Sequence, residues 1–99
     1  MEDAELLAVD PGMLHLPPSR ESGADPVKLQ RQIVRYALST VGMPALIAFR
    51  CSDDELVIYD GVTRATRVAK LLPGQTVLVE VIGKLRYPGG NLPLVKERL

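Results

Sequence analysis

Cysteine and histidine are almost absent from this sequence. Its 99 residues include a single cysteine, Cys51, and a single histidine, His15. A lone cysteine cannot close an internal disulfide, so the chain fits a reducing compartment. One cysteine and one histidine also fall short of the four ligands of a structural zinc site. We therefore expect no metal site, and one small domain over residues 1–99 that is held together by packing.

Tryptophan and long apolar runs are missing as well. The sequence has no tryptophan, 4% aromatic residues and apolar runs of only a few residues. A membrane helix needs about 20 consecutive apolar residues, so we expect no membrane partner. The N-terminal Met-Glu-Asp-Ala-Glu is acidic and lacks the basic and apolar regions of a secretory signal. We therefore expect a cytoplasmic protein, or one delivered into the cytoplasm of a target cell if it is a toxin domain.

The chain has no excess charge of either sign. Twelve basic residues balance twelve acidic ones, but the two kinds are unevenly distributed. Residues 1–25 hold six acids and one base, a net charge of −5, so residues 26–99 carry +5. This balance is not that of a dedicated nucleic-acid-binding protein. It does permit a local anion site in the basic part of the chain.

One helix is clearly marked. Asp25 can accept hydrogen bonds from the first free amides, and Pro26 suits the first helical position. Gly42 suits a left-handed cap and Pro44 prevents continuation, so the predicted helix spans 26–41. Its apolar face is formed by residues at helical spacing, namely Leu29, Ile33, Tyr36, Ala37 and Val41.

The remaining elements alternate between extended and helical patterns. Segments rich in β-branched and apolar residues, bounded by turn residues, predict strands, and two of them form a hairpin. The strand at 76–82 is nearly continuously apolar, which indicates burial on both faces. The other predicted elements are strands at 5–9, 45–50 and 55–60, a helix at 62–72, and an irregular or short helical tail at 83–99 that packs on the body or extends from it.

This element order predicts a mixed α+β fold, with a short mixed sheet flanked by two main helices and a core within about residues 5–82. The residues expected in that core are Ile33, Ala37, Ile47, Val57, Ala65, Val68, Ala69, Val77, Val79 and Val81.

The turn within residues 59–65 is the main candidate for chemistry. A strand that ends at a glycine and continues into a helix leaves several backbone N–H groups unpaired, and the helix dipole adds positive potential there. Gly61 allows the turn, Thr63 supplies a hydroxyl, and Arg64 supplies a fork of donors that matches phosphate oxygens. Asp60 can hold a ligand hydroxyl, orient an arginine or act as a base. The same residues also suit an ordinary turn followed by a solvated helix face.

Four residues outside this turn are further candidates. Arg20 and Arg67 are candidates for additional phosphate contacts. Glu21 and His15 are candidates for proton transfer. A flexible polar loop for residues 20 and 21, a structural role for the histidine, and a solvated helix face for Arg67 are the alternatives.

A basic stripe accompanies the first predicted helix. Lys28, Arg31 and Arg35 follow one another at spacings of three and four residues, so they lie on one side of that helix. Such a stripe is typical of a solvated face, or of a surface that contacts nucleic-acid phosphates.

The glycine turn resembles a known motif. Residues 60–65 read Asp-Gly-Val-Thr-Arg-Ala and are similar to the turn of the ParB/sulfiredoxin superfamily, where Asp-Gly-His-Thr-Arg-Ala, Gly-Glu-Arg-Arg or Gly-Cys-His-Arg stands between a hairpin strand and a helix. The similarity extends over about residues 5–82. Compact ParB-like domains at the C-termini of bacterial polymorphic toxins look closest, since they share the pattern of residues 61–67 and often an ending like residues 92–99.

The resemblance implies a ligand and partners. It implies that Gly61, Thr63 and Arg64 clamp the phosphate of a nucleotide, with Asp60 as the polar group beside it. A nucleotide with Mg is the cofactor that it allows. A nucleotide or other phosphate ligand, an immunity or other partner protein, and nucleic acid are the partners that it allows.

Val62 departs from the family pattern. Sulfiredoxins have a catalytic cysteine at this position, the serine-kinase-like members a histidine, and the partition proteins a glutamate. Valine has neither a nucleophile nor a proton to transfer, and Cys51 lies in the hairpin loop. Sulfiredoxin chemistry is therefore excluded.

Two functions remain open on the sequence. The first is a phosphate- or nucleotide-binding enzyme, such as a bacterial toxin effector acting on a nucleotide or nucleic acid, with Asp60 in proton transfer or substrate positioning. The second is a non-catalytic ParB-like module that binds a partner protein or nucleic acid. Val62 favours the second function, and the pairing of Asp60 with Arg64 favours the first.

Overall fold

A computed structural model of the protein describes residues 5–99 and has the mixed α+β fold that the sequence predicts. None of its helices is long and apolar enough to cross a membrane within this described part. Three short 3₁₀ helices cover Pro11–Met13, Pro18–Arg20 and Val95–Arg98. The main elements are β1 (Glu5–Val9), α1 (Pro26–Tyr36), β2 (Leu46–Arg50), β3 (Leu56–Asp60), α2 (Val62–Leu71) and β4 (Val77–Lys84).

The four strands form one sheet in the order β1-β4-β2-β3. The β2–β3 hairpin is antiparallel, as the turn between these segments predicts, whereas β4 lies parallel to β2 and antiparallel to β1. The strand β3 returns the chain to the end of the sheet where β2 begins, and α2 then connects β3 to β4 on the other side of β2. This connection places the first turn of α2 directly at the end of β3.

The two faces of the sheet differ in their cover. Val77, Val79 and Val81 of β4 are buried, whereas Leu78 and Ile82 are 53% and 45% exposed. This alternation follows from the two-residue period of a strand. The prediction that the strand is buried on both faces is wrong, because α1 packs against α2 and leaves the second face open.

The core includes two segments that lie outside the main elements. Leu14 and Leu16, from the loop after β1, and Val95, from the tail, are almost completely inaccessible to solvent. The N–H of Leu16 donates to the carbonyl oxygen of Pro93 at 2.8 Å, and the N–H of Val95 donates to the carbonyl oxygen of Leu14 at 2.9 Å. The tail therefore packs on the body and closes one side of the core.

The first helix is shorter than its apolar pattern predicts. α1 ends at Tyr36, and Ala37 follows at a φ of +46°, which no helix can contain. Nη1 of Arg67 donates to the carbonyl oxygen of Ala37 at 2.8 Å and so satisfies one of the last carbonyls of the helix. The predicted end at Val41 is wrong, and Gly42 takes its positive φ in the following loop.

The predicted core residues are buried to different degrees. Ile33 is only half-buried and Ala37 is exposed, because α1 packs mainly against α2. Ile47 and Ala69 are also half-buried. The residues that are buried as predicted are Val57, Ala65, Val68, Val77, Val79 and Val81.

Candidate anion-binding site

The turn between β3 and α2 depends on Gly61. This residue has a φ of +114° and a ψ of 20°, a backbone conformation that residues with a side chain rarely adopt. A Cβ atom added here would overlap Cδ2 of the buried Leu46 and would lie 3.1 Å from Nη2 of Arg64. Glycine is therefore required both by the dihedral angle and by the close approach of β2.

The first turn of α2 keeps its amides open. The first backbone hydrogen bond at this end runs from the N–H of Ala65 to the carbonyl oxygen of Gly61, at 2.9 Å. Among residues 5–99, no side chain caps this helix. The N–H groups of residues 62–64 therefore have no intrahelical partner, and the positive end of the helix dipole lies with them.

A cavity of about 270 Å³ lies in front of this turn. Residues 59–64 form one wall, and the loop before α1 together with the first turns of α1 forms the other. The structure thus brings Arg20, Asp60, Gly61, Thr63 and Arg64 around one space, although Arg20 is far from the others in the sequence. Lys28, Gln32 and Tyr59 also line this space. The sequence predicts Tyr59 within the candidate turn but no ligand contact for its side chain, and it gives no signal for Gln32.

Arg64 is held in place by two acceptors. Its Nη1 donates to the carbonyl oxygen of Pro44 at 3.1 Å, and its Nη2 lies 3.5 Å from Oδ2 of Asp60. The side chain of Arg64 is 17% exposed and that of Asp60 is 65% exposed. The arginine is therefore oriented by protein groups on one side, and Asp60, which would otherwise repel an anion, is partly neutralised.

Asp25 caps α1 at the opposite wall. Its Oδ1 accepts hydrogen bonds from the N–H of Val27 at 2.8 Å and of Lys28 at 3.3 Å. These hydrogen bonds hold the pKa of Asp25 below its usual value, and the bond from Lys28 has the larger effect, followed by that from Val27. The carboxylate is thus ionised at neutral pH and occupied by backbone donors. The charged residues that line the cavity are the bases Arg20, Lys28 and Arg64 and the acids Asp25 and Asp60, a net charge of +1.

His15 lies elsewhere, in the core. Its Nδ1 donates to the carbonyl oxygen of Leu92 at 2.8 Å, and its Nε2 is 3.6 Å from Oε1 of Glu55. Its backbone joins β3, since its N–H donates to Leu56 and its carbonyl oxygen accepts from Ile58. The structure therefore places His15 as a buried link between the loop, β3 and the tail, and not at the cavity.

Glu21 is likewise not brought to the cavity. Its side chain is exposed, and its backbone carbonyl oxygen accepts a hydrogen bond from Nε of Arg98 at 3.0 Å. This contact joins the loop before α1 to the tail, so the position of Glu21 offers no support for a role in proton transfer at the Gly61 turn.

Arg67 is a buried residue rather than a rim residue. It is 1% exposed, its guanidinium lies 5.4 Å from the centre of the Tyr36 ring, and its Nη1 caps the end of α1 through Ala37. With Arg64 it borders a neighbouring cavity of about 280 Å³. The phosphate contact predicted for Arg67 therefore does not fit the cavity at Gly61.

The surroundings of Cys51 disfavour the thiolate form of its side chain. Burial raises the pKa of the Cys51 thiol, and the nearby Asp53 and Glu55 raise it further. Within residues 5–99, no three His, Cys, Asp or Glu side chains gather into a group that could hold a metal ion.

No model of a protein family matches this chain, and no curated protein or solved structure matches it either. The relation to the ParB/sulfiredoxin superfamily thus stays a prediction from the motif.

Proposed function

We propose that the protein binds a phosphate-bearing ligand, such as a nucleotide, in the cavity at the Gly61 turn. The observation that carries this proposal is the convergence of three basic side chains and an uncapped helix N-terminus on one cavity of about 270 Å³. Charge-assisted hydrogen bonds from arginine, lysine and backbone amides are the interactions by which proteins hold phosphate. The ParB/sulfiredoxin resemblance assigns the same turn to a phosphate clamp.

The cavity supplies complementary contacts for the groups of a nucleotide. The amides of residues 62–64 and the guanidinium of Arg64 suit a phosphate. The hydroxyl of Thr63 can donate a further hydrogen bond. The exposed carboxylate of Asp60 suits a ribose hydroxyl, and the ring of Tyr59, which is 65% exposed at the same rim, offers a surface for a base.

Two modes of action follow from the same cavity. Two carboxylates line the cavity, and within residues 5–99 only that of Asp60 accepts no hydrogen bond from a backbone amide. In the first mode the protein is catalytic, for example a toxin effector, and Asp60 acts as the base or positions the substrate. Val62 lines the cavity where the superfamily carries a reactive group, and this favours the second candidate, a module that binds its ligand without turnover.

Calorimetric titration with inorganic phosphate and a panel of nucleotides tests the proposal. Arg64→Ala should weaken binding by about 1.5–3 kcal/mol, the contribution of a hydrogen bond to a charged group. Arg86→Ala is the matched control, because it removes an exposed arginine that does not line the cavity. Binding of every ligand by Arg64→Ala as tightly as by the parent protein would refute the anion site.

Asp60→Asn separates the two modes of action. It removes a negative charge beside the ligand, so phosphate affinity should stay the same or rise. In a turnover or toxicity assay, the same variant should be inactive if Asp60 is a catalytic base. Full activity of Asp60→Asn would reject the catalytic role and leave the binding site intact.

A further inference from the structure

The helix α1 carries a basic stripe and contains no acidic residue of its own. Its sequence is Pro-Val-Lys-Leu-Gln-Arg-Gln-Ile-Val-Arg-Tyr, which has three basic residues and no acidic one. Within residues 5–99, the ion pairs of arginine or lysine with a carboxylate involve Arg50 and Arg64, and none involves Lys28, Arg31 or Arg35. Three cations of one helix face are therefore available to an external anion.

These cations border a second cavity that lies next to the first. A space of about 250 Å³ lies between α1 and the start of α2, with Arg31, Arg35 and Tyr36 on its border. It shares Lys28, Gln32 and Thr63 with the phosphate cavity. We call the two cavities together the basic groove; its cations are Arg20, Lys28, Arg31, Arg35 and Arg64.

Aromatic side chains define the two ends of the basic groove. The guanidinium carbon of Arg35 lies 5.3 Å from the centre of the Tyr36 ring, so this ring positions the cation at the far end. At the other end, Tyr59 packs edge-on against Phe49, with ring centres 5.4 Å apart, and keeps most of its own ring exposed. Tyr59 is thus a braced, solvent-facing ring beside the phosphate cavity.

We propose that the basic groove binds a single strand of nucleic acid. One phosphate lies at the Gly61 turn, the following phosphates lie along α1, and an unpaired base stacks on Tyr59. Lys28 and Arg35 are seven residues apart, which at about 1.5 Å per residue spans roughly 10 Å of helix. Cations spread over this length can contact more than one phosphate of a strand that lies along α1.

The base contact selects a single strand over a duplex. Stacking on a tyrosine needs a base that is not already stacked and paired, and basic grooves with an exposed ring are the usual means of binding single strands. The inference rests on the proposed function for its first phosphate. It adds that the natural ligand is a polymer and that α1 contributes to its binding.

Fluorescence anisotropy with a labelled oligothymidylate, measured over a range of salt concentrations, tests this proposal. The probe should bind the parent protein with an affinity that falls as salt rises, by about 0.7 in log K per unit of log salt for each phosphate contact. The double variant Arg31→Gln/Arg35→Gln should lose affinity, and its salt slope should be less steep by about 1.4, since two contacts are removed.

Matched variants separate the groove from net charge. Lys84→Gln/Arg86→Gln removes two exposed cations at the end of β4 and beyond it, and should bind the probe like the parent. Tyr59→Leu should bind the oligonucleotide several-fold more weakly because a stacking contact is lost. Arg31→Gln/Arg35→Gln should leave the calorimetric affinity for inorganic phosphate unchanged, because neither side chain lines the phosphate cavity.

Several results would overturn the proposal. If the parent protein binds phosphate but not the oligonucleotide, the proposal of a single-stranded ligand is rejected and the proposed function stands. If the parent protein binds neither, the proposed function fails as well. Equal losses in the two double variants would mean non-specific attraction. Equal or tighter binding of a duplex, or a preference for phosphatidylserine vesicles over the oligonucleotide, would also reject a single-stranded ligand.

Discussion

Replacing Gly61 by alanine should destabilise the protein by two separate effects. The first is backbone strain, because the φ of +114° is sparsely populated by residues with a Cβ, and such strain amounts to about 1–3 kcal/mol. The second is overlap of the new Cβ with Cδ2 of Leu46, which is completely buried and packed in the core. Overpacking of this kind adds about 1–3 kcal/mol. The expected total of about 2–6 kcal/mol is a large share of the roughly 5–15 kcal/mol of a stable domain.

Gly74→Ala is the control that separates these effects. Gly74 has a φ of +88°, but a Cβ there would meet no atom within 4 Å. This variant should therefore show the strain alone. Urea unfolding followed by circular dichroism gives both free energies, and the Gly61→Ala midpoint should fall below that of Gly74→Ala by an amount equivalent to about 1–3 kcal/mol. Coincident midpoints would show that the side chain of Leu46 moves aside without loss of unfolding free energy. The overlap with Leu46 would then not contribute to the need for glycine at this position.

Three further predictions concern the core, the hairpin loop and the thiol. Leu46→Ala should lower the unfolding free energy by about 2–5 kcal/mol, and Ile33→Ala by clearly less, because the first side chain is fully buried and the second half-buried; equal losses in urea unfolding would contradict this packing. The N–H groups of residues 89, 90 and 55 hold the pKa of Asp53 below its usual value, that of residue 89 most strongly. The stability from these bonds should be present above the unfolded-state pKa of about 3.9 and should be lost as pH falls through the lower folded-state pKa. Asp53→Asn should show a weaker acid dependence of unfolding, and an unchanged one would reject the contribution. Cys51 is 3% exposed with a raised pKa, so it should react slowly with DTNB at neutral pH and fast in urea; equal rates would contradict its burial.

Local sequence signals predict the parts of the fold that depend on neighbouring residues. Asp25 accepts two amide hydrogen bonds at the start of α1, as its place before Pro26 indicates. Gly61 separates β3 from α2 because the dihedral angle of that turn suits glycine alone. In both cases the residue that determines the structure lies within a few positions of the helix start that it determines. Periodicity and turn chemistry are therefore sufficient to predict these two helix starts from the sequence.

The features that the sequence analysis missed depend on distant partners. The end of α1 depends on Arg67, which lies 30 residues beyond the carbonyl that it caps. Lys28 and Tyr59 line one cavity only because α1 packs against α2, which follows directly on β3. His15 is suited to catalysis by its chemistry, but the tertiary structure buries it. No local pattern encodes these placements, since each is fixed by packing between separate elements.

The pairing of the loop after β1 with the tail has a consequence for the order of folding. His15 and Leu92 are hydrogen-bonded across 77 residues of chain, and Leu14 meets Val95 in the same region. During synthesis, the loop can pair with β3 as soon as that strand emerges, since His15 exchanges backbone hydrogen bonds with Leu56 and Ile58. Its contacts with the tail form only after residue 95 has left the ribosome, so this side of the core closes last.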